Sequence, residues 1–319
     1  MARPTTTMQT NVTAVKSKSA RLMLAGIIVA FRNSPSYRCR RRVREQGLDL
    51  LCLPLTAIPL QTRSLCMPRI PEILLNAIAF LFSSRDAATA GMPGGTGFFV
   101  RDGGNRTFLV TNTHVSAQCS VVKINGTRGP LTIELDPLQW RRHPDGDDVS
   151  IYQFTPKADW SVSSIILADV LATRERMAEL NVGVGDEIFM LGRFISHEDL
   201  VTVHPMARFG NIAMMPGQLV KDGRNLKVEA FLVEMRSLSG FSGSPVFVHI
   251  ASGADRGNGT IMPFYSQTIG LIGIDAGHKR HRASVEGIGA TDAFVQQNTG
   301  VAIVVPYYKI RELVDTVPL

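Results

Sequence analysis

Short apolar runs, separated by glycine and polar residues, recur along most of this chain and constrain its fold more than any other feature. Runs that are rich in Val, Ile and Phe and closed by turn residues are typical of β-strands. Many such strands in succession indicate an all-β architecture. The predicted strands form a first group, at 77–82, 97–100, 107–111, 121–124, 131–134 and 149–154, and a second group, at 187–194, 200–204, 210–214, 226–234, 244–250, 267–274 and 300–305.

Two helices are predicted beside these strands. Residues 167–180 carry leucines at helical spacing among polar residues, and they lie between the two strand groups. Pro306 is suited to a first helical turn, and Ile310, Leu313 and Val314 would give the segment after it one apolar face. We therefore expect a connecting helix and a C-terminal helix.

The segment Gly240–Phe247 carries the clearest chemical signal. Small residues flank Ser242, and a proline and an apolar run follow. Such a segment is suited to a tight turn that presents one hydroxyl and directs backbone N–H groups at one point, as the oxyanion of acyl transfer requires. On its own the pattern is more often a simple turn, so this prediction needs a base and an acid elsewhere.

A histidine and an aspartate upstream meet that need. His114 follows a predicted strand, and an imidazole titrates near neutrality, so it can accept a proton and return it. Asp148 directly precedes another predicted strand, where its carboxylate is expected to accept a hydrogen bond from the second ring nitrogen. Asp147 and Asp145 remain alternatives for that role. An α/β-hydrolase is excluded because Ser244 stands where its Gly-x-Ser-x-Gly motif needs glycine.

The order His114, Asp148, Ser242 resembles that of the chymotrypsin-like serine proteases. The local motifs Thr-Asn-Thr-His-Val, Asp-Val-Ser-Ile and Gly-Phe-Ser-Gly-Ser-Pro are similar to those of compact bacterial trypsin-like peptidases, including the HtrA protease core without its PDZ domain. The likeness covers roughly residues 70–316. It implies two six-stranded β-barrels, at about 75–160 and about 183–305, with the active site between them.

The resemblance also implies a role for each site residue. Ser242 would be the nucleophile, His114 the general base, and Asp148 the orienting carboxylate, with the backbone N–H groups of Gly240 and Ser242 as the oxyanion hole. The protein would then be a serine endopeptidase that cleaves peptides or proteins through an acyl-enzyme. The alternative is a catalytically silent protease fold that only binds its partner. Residues Thr299, Gly300 and Val301 are expected to bind substrate, with Gly300 pairing to an extended peptide.

Neither a metal nor a cofactor is predicted. Phosphate-binding glycine loops, cysteine pairs and heptads are not found in the sequence, and His278-Lys-Arg-His281 is expected to be a solvated loop. The net charge of +7 comes from residues 1–70, which hold 12 Lys/Arg against 2 Asp/Glu and leave 22 against 25 for the remainder. A nucleic-acid partner is therefore not expected for the protease-like part.

Residues 1–69 are expected to be a disordered basic extension or an artefact of start-site assignment at Met67. Their apolar run at 22–31 is too short to span a bilayer comfortably, so membrane association or export is only an alternative. Of the four cysteines, only Cys119 lies in the protease-like part, where it is expected to pack near the histidine. A single thiol forms no internal disulfide, which favours a cytoplasmic location.

Overall fold

Strands dominate the part of the chain that the structure describes. The structure is a computed structural model, and it describes residues 69–167, 173–195, 202–221, 226–251, 253–257, 259, 268–284 and 294–318. These residues belong to one compact unit, Arg63–Leu319. The predicted N-terminal extension, with its apolar run at 22–31, lies outside the described residues except for Arg69.

The first strand group forms one sheet of eight strands in the order β5-β4-β1-β2-β3-β7-β6, with β8 paired to β2. The six predicted strands are all present, and the two added ones, β6 and β8, are two residues long. All five residues of β1 are buried because β1 lies inside the sheet, between β2 and β4. The strands are β1 Ile78–Phe82, β2 Gly94–Arg101, β3 Thr107–Thr111, β4 Val121–Gly126, β5 Gly129–Glu134, β6 Arg141–Arg142, β7 Ser150–Phe154 and β8 Ile165–Ile166.

The second group closes into a barrel of six strands in the order β10-β13-β16-β15-β14-β9. A short hairpin of β11 and β12 accompanies it. Closure removes the free edges that an open sheet would expose. The strands are β9 Glu187–Gly192, β10 Met206–Met214, β11 Leu219–Lys221, β12 Lys227–Glu229, β13 Phe231–Glu234, β14 Pro245–Ile250, β15 Thr268–Ser284 and β16 Phe294–Pro306.

Five helices of four to nine residues complete the described part of the chain. They are α1 Glu72–Leu75, α2 Arg85–Ala90, α3 Thr113–Ser116, α4 Arg174–Glu179 and α5 Tyr307–Asp315; a 3₁₀ turn spans Pro137–Gln139. The C-terminal helix is confirmed within a residue. It buries Ile310, Leu313 and Val314, and the hydroxyl of its Tyr307 donates to the Leu167 carbonyl at 3.0 Å. The helix thus ties the barrel to the first sheet.

The all-β, chymotrypsin-like fold is confirmed, with one difference: in place of the first six-stranded barrel, the structure has a sheet of eight strands. A shared core unites the two parts. Phe80 and Phe98 of the first sheet belong to the same buried apolar cluster as Phe189 and Phe247 of the barrel. Burying a phenylalanine side chain contributes roughly 1.5–3 kcal/mol, so this shared cluster holds the two parts together. The cleft between them is therefore set by a packed interface.

Three local predictions differ from the structure. Residues 202–204 of the predicted strand 200–204 form no strand, and the rest of it lies outside the described residues. The connecting helix is shorter than 167–180, beginning after the Thr173 cap, with 168–172 undescribed. The segment His278–His281 is part of β15 and not a loop, because β15 and β16 continue as a long hairpin that pairs Arg280 with Asn298.

Candidate active site

The serine segment forms a tight turn at the start of β14. The N–H of Phe241 donates to the Leu238 carbonyl at 3.0 Å, and Gly240 has φ of +95°, the features of a type II turn. Glycine adopts this conformation at little cost. Phe241 is fully buried and anchors the turn in the core. The sequence therefore places Ser242 on a fixed turn, as its flanking glycines predict.

Strand β2 holds this turn from the other side. The N–H of Thr96 donates to the Ser242 carbonyl at 2.9 Å, and its hydroxyl donates to the Gly240 carbonyl at 2.6 Å. A Cβ at Gly243 would lie 2.0 Å from the Thr96 carbonyl oxygen, so this position has room for glycine only. Strand β2 and the serine turn are therefore packed directly against each other.

The histidine lies on α3, immediately after β3. His114 Nδ1 is 2.7 Å from Asp148 Oδ2, and the His114 backbone N–H donates to Asp148 Oδ1 at 3.1 Å. The two carboxylate oxygens of Asp148 thus contact both the ring Nδ1 and the backbone nitrogen of His114. The His114 side chain is 38% exposed and that of Asp148 only 7%, so a buried acid orients a ring that remains accessible. Asn112 fixes the loop by donating to the Asp148 carbonyl at 2.8 Å.

Asp145 and Asp147, the alternatives to Asp148, lie near Lys309. Asp147 lies 3.2 Å from the Lys309 ammonium and 3.3 Å from His143 Nδ1, while Asp145 is largely exposed. The ligand atoms of His143, Asp145 and Asp147 come within 4.8 Å of one another, close enough for a metal ion. The Lys309 ammonium already supplies a positive charge there, so we interpret the cluster as an ion-pair network.

His114 and Ser242 line two cavities together. The larger, of about 570 Å³, is also lined by Ser237–Ser239 and by residues 276–280 of β15. The smaller, of about 280 Å³, is bordered by Gly94, Val115 and Cys119. Within the described residues, no hydrogen bond joins Ser242 to His114, and the N–H groups of Gly240 and Ser242 donate to no other group.

The residues predicted to bind substrate lie on β16, outside both cavity linings. The Gly300 N–H donates to Asn298 Oδ1 at 2.9 Å, and the Gly300 carbonyl accepts from the Met235 N–H at 2.7 Å. Thr299 donates to the Lys279 carbonyl, and Val301 pairs with Glu234 of β13. The segment Ala276–Arg280 of β15 lies beside Ser242 instead. Sequence patterns do not indicate this role, since they predict a solvated loop at His278–His281.

Asp275 is a buried acid that sequence reasoning did not assign to the site. The Ser237 hydroxyl donates to its Oδ2 at 2.6 Å, and the Gly277 N–H donates to Oδ1 at 3.3 Å. Complete burial raises the pKa of Asp275 to about 7, although these two hydrogen bonds oppose the rise. Its backbone N–H and carbonyl bond to Ser244 and Gly243, so it underlies the serine turn.

We expect Asp275→Asn to flatten the pH dependence of stability. Between the ordinary carboxyl pKa of 3.8 and about 7, the folded protein holds a proton that the unfolded chain has lost. Stability therefore falls as pH rises through this range, by a few kcal/mol at most, since one pKa unit corresponds to ~1.4 kcal/mol. Urea unfolding at pH 5 and pH 8 measures the change. An equal pH response in wild type and variant would contradict the prediction; the exposed Asp159→Asn is the control.

Cys119 packs near the histidine helix, as expected. Its side chain is buried beside Val115, and burial raises the pKa of the thiol to about 11. The thiol is therefore protonated at neutral pH and serves packing.

Among the described residues, every helix is too short or too polar to cross a membrane.

Comparisons with known proteins find only distant similarity, to solved protease structures. No family model and no curated protein matches the chain. Of the solved structures, the MamO protease domain from Magnetospirillum magneticum is 15% identical over 75% of this chain and 96% of its own, with a TM-score of 0.43. The HtrA-type protease AlgW, solved with a tripeptide, is 14% identical over 77% of this chain and 61% of its own, with a TM-score of 0.43. The inactive form of the Rv3671c protease is 12% identical over 77% and 91%, with a TM-score of 0.42. Similarity at this level carries no argument about this chain, so the case for activity must come from its own residues.

Proposed function

We propose that this protein is a serine endopeptidase. The observation that carries the proposal is the pairing of His114 with Asp148 at 2.7 Å, next to a cavity that His114 shares with Ser242. A buried carboxylate that fixes one ring nitrogen leaves the other free to accept a proton. Holding a partly exposed imidazole in one orientation costs conformational entropy. This fixed orientation therefore supports a role in proton transfer.

In the proposed reaction, His114 Nε2 removes the proton from the Ser242 hydroxyl as Oγ attacks the peptide carbonyl. The same imidazole then protonates the leaving amine, and an acyl-enzyme remains on Ser242. Water, deprotonated by His114, attacks that ester and releases the acid. Asp148 keeps the proton on Nδ1 throughout and stabilises the imidazolium.

The oxyanion of each tetrahedral intermediate would be bound by the N–H groups of Gly240 and Ser242. Both are without an acceptor in the described residues, and they lie on one turn. Donors held in place before the reaction stabilise the developing charge without reorganisation.

The peptide substrate would bind beside β15. Beyond the pair Pro245–Ile274, β15 no longer pairs with β14, so the edge of β15 at Ala276–Lys279 is where we place an extended peptide.

Fluorophosphonate labelling tests the proposal. We expect wild-type protein to be labelled on Ser242, because the phosphorus of the probe is attacked only by an activated serine. Ser242→Ala and His114→Ala should show no labelling, while Ser161→Ala, which removes an exposed serine in the loop before β8, should label like wild type. A folded wild-type protein that is not labelled would refute the proposal.

The second candidate is a silent protease fold that binds peptides without cleaving them. It is favoured by one observation, that no hydrogen bond joins Ser242 to His114 in the described residues. Such contacts are often long in the absence of substrate and tighten when it binds, so we place this candidate second. It predicts peptide binding that is equal in wild type and Ser242→Ala, with no product from either protein.

A further inference from the structure

The larger cavity beside Ser242 has a strongly basic lining. Three of its side chains are cationic, Lys221, Lys279 and Arg280, and two more are histidines, His114 and His278. No Asp or Glu is found among its described lining residues. The segment His278–Arg280 belongs to β15, and Lys221 belongs to β11. The fold therefore gathers positive charge next to the predicted nucleophile, although the chain beyond residue 70 is slightly acidic.

The positive charges are not neutralised by the described part of the protein. Neither Lys221, Lys279 nor Arg280 forms an ion pair there. The Lys279 ammonium donates to the backbone carbonyl of Lys221, and Arg280 Nη1 donates to the neutral Gln296 Oε1 at 3.2 Å. Positive charges held together in a concave site create a positive electrostatic potential that attracts anions.

Hydrogen bonding between strands fixes these groups in place. Arg280 faces Asn298 in the β15–β16 ladder, and the Lys279–Lys221 contact joins that ladder to the β11–β12 hairpin. The nearby acid Asp275 is fully buried, and its carboxyl oxygens accept from Ser237 and Gly277 and form no ion pair with Lys221, Lys279 or Arg280 within the described residues. It does not offer the missing counter-charge.

We propose that the polypeptide bound in this cavity carries an acidic side chain, and that this requirement selects the substrate. The proposal rests on the proposed function for its cleavage step but not for its binding step. A glutamate or aspartate would meet Lys221 and Arg280, whose charges have no acidic partner within the described residues. A lysine or arginine in the same position would be repelled by them.

Binding to Ser242→Ala tests the inference whether or not the wild type cleaves peptides. The probes are three fluorescein-labelled dodecapeptides of alanine with glutamate, glutamine or lysine at every third position, titrated by anisotropy. We expect the glutamate peptide to bind about tenfold more tightly than the glutamine peptide, and the lysine peptide most weakly. The preference should weaken as salt is added, since screening acts on exposed charges.

Charge reversal assigns the effect to the cavity. Adding Lys221→Glu and Arg280→Glu to Ser242→Ala should remove the preference for glutamate and favour the lysine peptide. Lys157→Glu is the control, because Lys157 is exposed and does not line the cavity; it should keep the preference. Equal binding of the three peptides, or a preference unchanged by the double reversal, would overturn the inference. Absent fluorophosphonate labelling would overturn the proposed function alone.

Discussion

Replacing Asp148 with asparagine is expected to lower kcat/KM by about 10⁴-fold. The Asp148 carboxylate accepts from both His114 nitrogens that face it, at 2.7 and 3.1 Å. An amide of the same shape would present an NH₂ group to Nδ1 and hold the proton of the ring on Nε2. That tautomer cannot take a proton from Ser242. Turnover of a fluorogenic peptide, or the rate of fluorophosphonate labelling, measures the loss.

The neighbouring Asp147→Asn is the control for this prediction. Asp147 has the same sequence context but is paired with Lys309 and His143. We expect its replacement to reduce stability, since Lys309 would lose a partner, and to change kcat/KM by no more than a few-fold. Comparable losses in the two variants would mean that Asp148 does not orient His114 for catalysis.

Replacing Gly240 with alanine is expected to lower kcat by about 10²- to 10³-fold, the effect of losing one oxyanion donor. Gly240 has φ of +95°, and an added Cβ would lie 2.7 Å from the Arg193 carbonyl oxygen and 2.8 Å from Ile195 Cγ1. The turn must therefore shift, and its N–H with it. Steady-state kinetics with a fluorogenic peptide measures the change, and KM should move less than kcat because the donor acts on the transition state.

Gly257→Ala separates this effect from backbone strain in general. Gly257 also has positive φ, at +72°, but a Cβ there would meet no atom within 4 Å. Both variants should lose stability from backbone strain, roughly 1–3 kcal/mol, and Gly240→Ala should lose more because of its close contacts; only Gly240→Ala should lose turnover. Full activity in a folded Gly240→Ala protein would remove Gly240 from the proposed oxyanion hole.

Local patterns predicted the strands well, because apolar runs and the turn residues that close them act over a few neighbours. The six predicted strands of the first sheet and the helix after Pro306 illustrate this. The same reasoning failed for His278–His281. A run of polar and basic residues does not look like a strand, and it forms one only because β16 provides a partner along its whole length.

In the candidate site too, local patterns predicted the turn but not the contacts between distant residues. The motif around Ser242 predicted a turn with glycine at positive φ, and the structure has one at both Gly240 and Gly243. Sequence favours Asp148, which directly precedes a strand, but leaves Asp145 and Asp147 as alternatives, since all three lie in one acidic loop. The choice depends on which of them faces α3 and which faces Lys309.

The sequence by itself determined the all-β class, the serine turn and the three residue types from which a protease mechanism can be proposed, because each depends on short-range constraints of backbone and side chain. Only the tertiary structure decided which aspartate meets His114, that residues 276–280 of β15 rather than residues 299–301 of β16 line the cavity, and that Lys221 joins Lys279 and Arg280 beside Ser242. The contacts His114–Asp148 and Lys221–Lys279 join residues 34 and 58 positions apart. They arise when the strands pair and the two parts of the fold bury a common core, which no local pattern records.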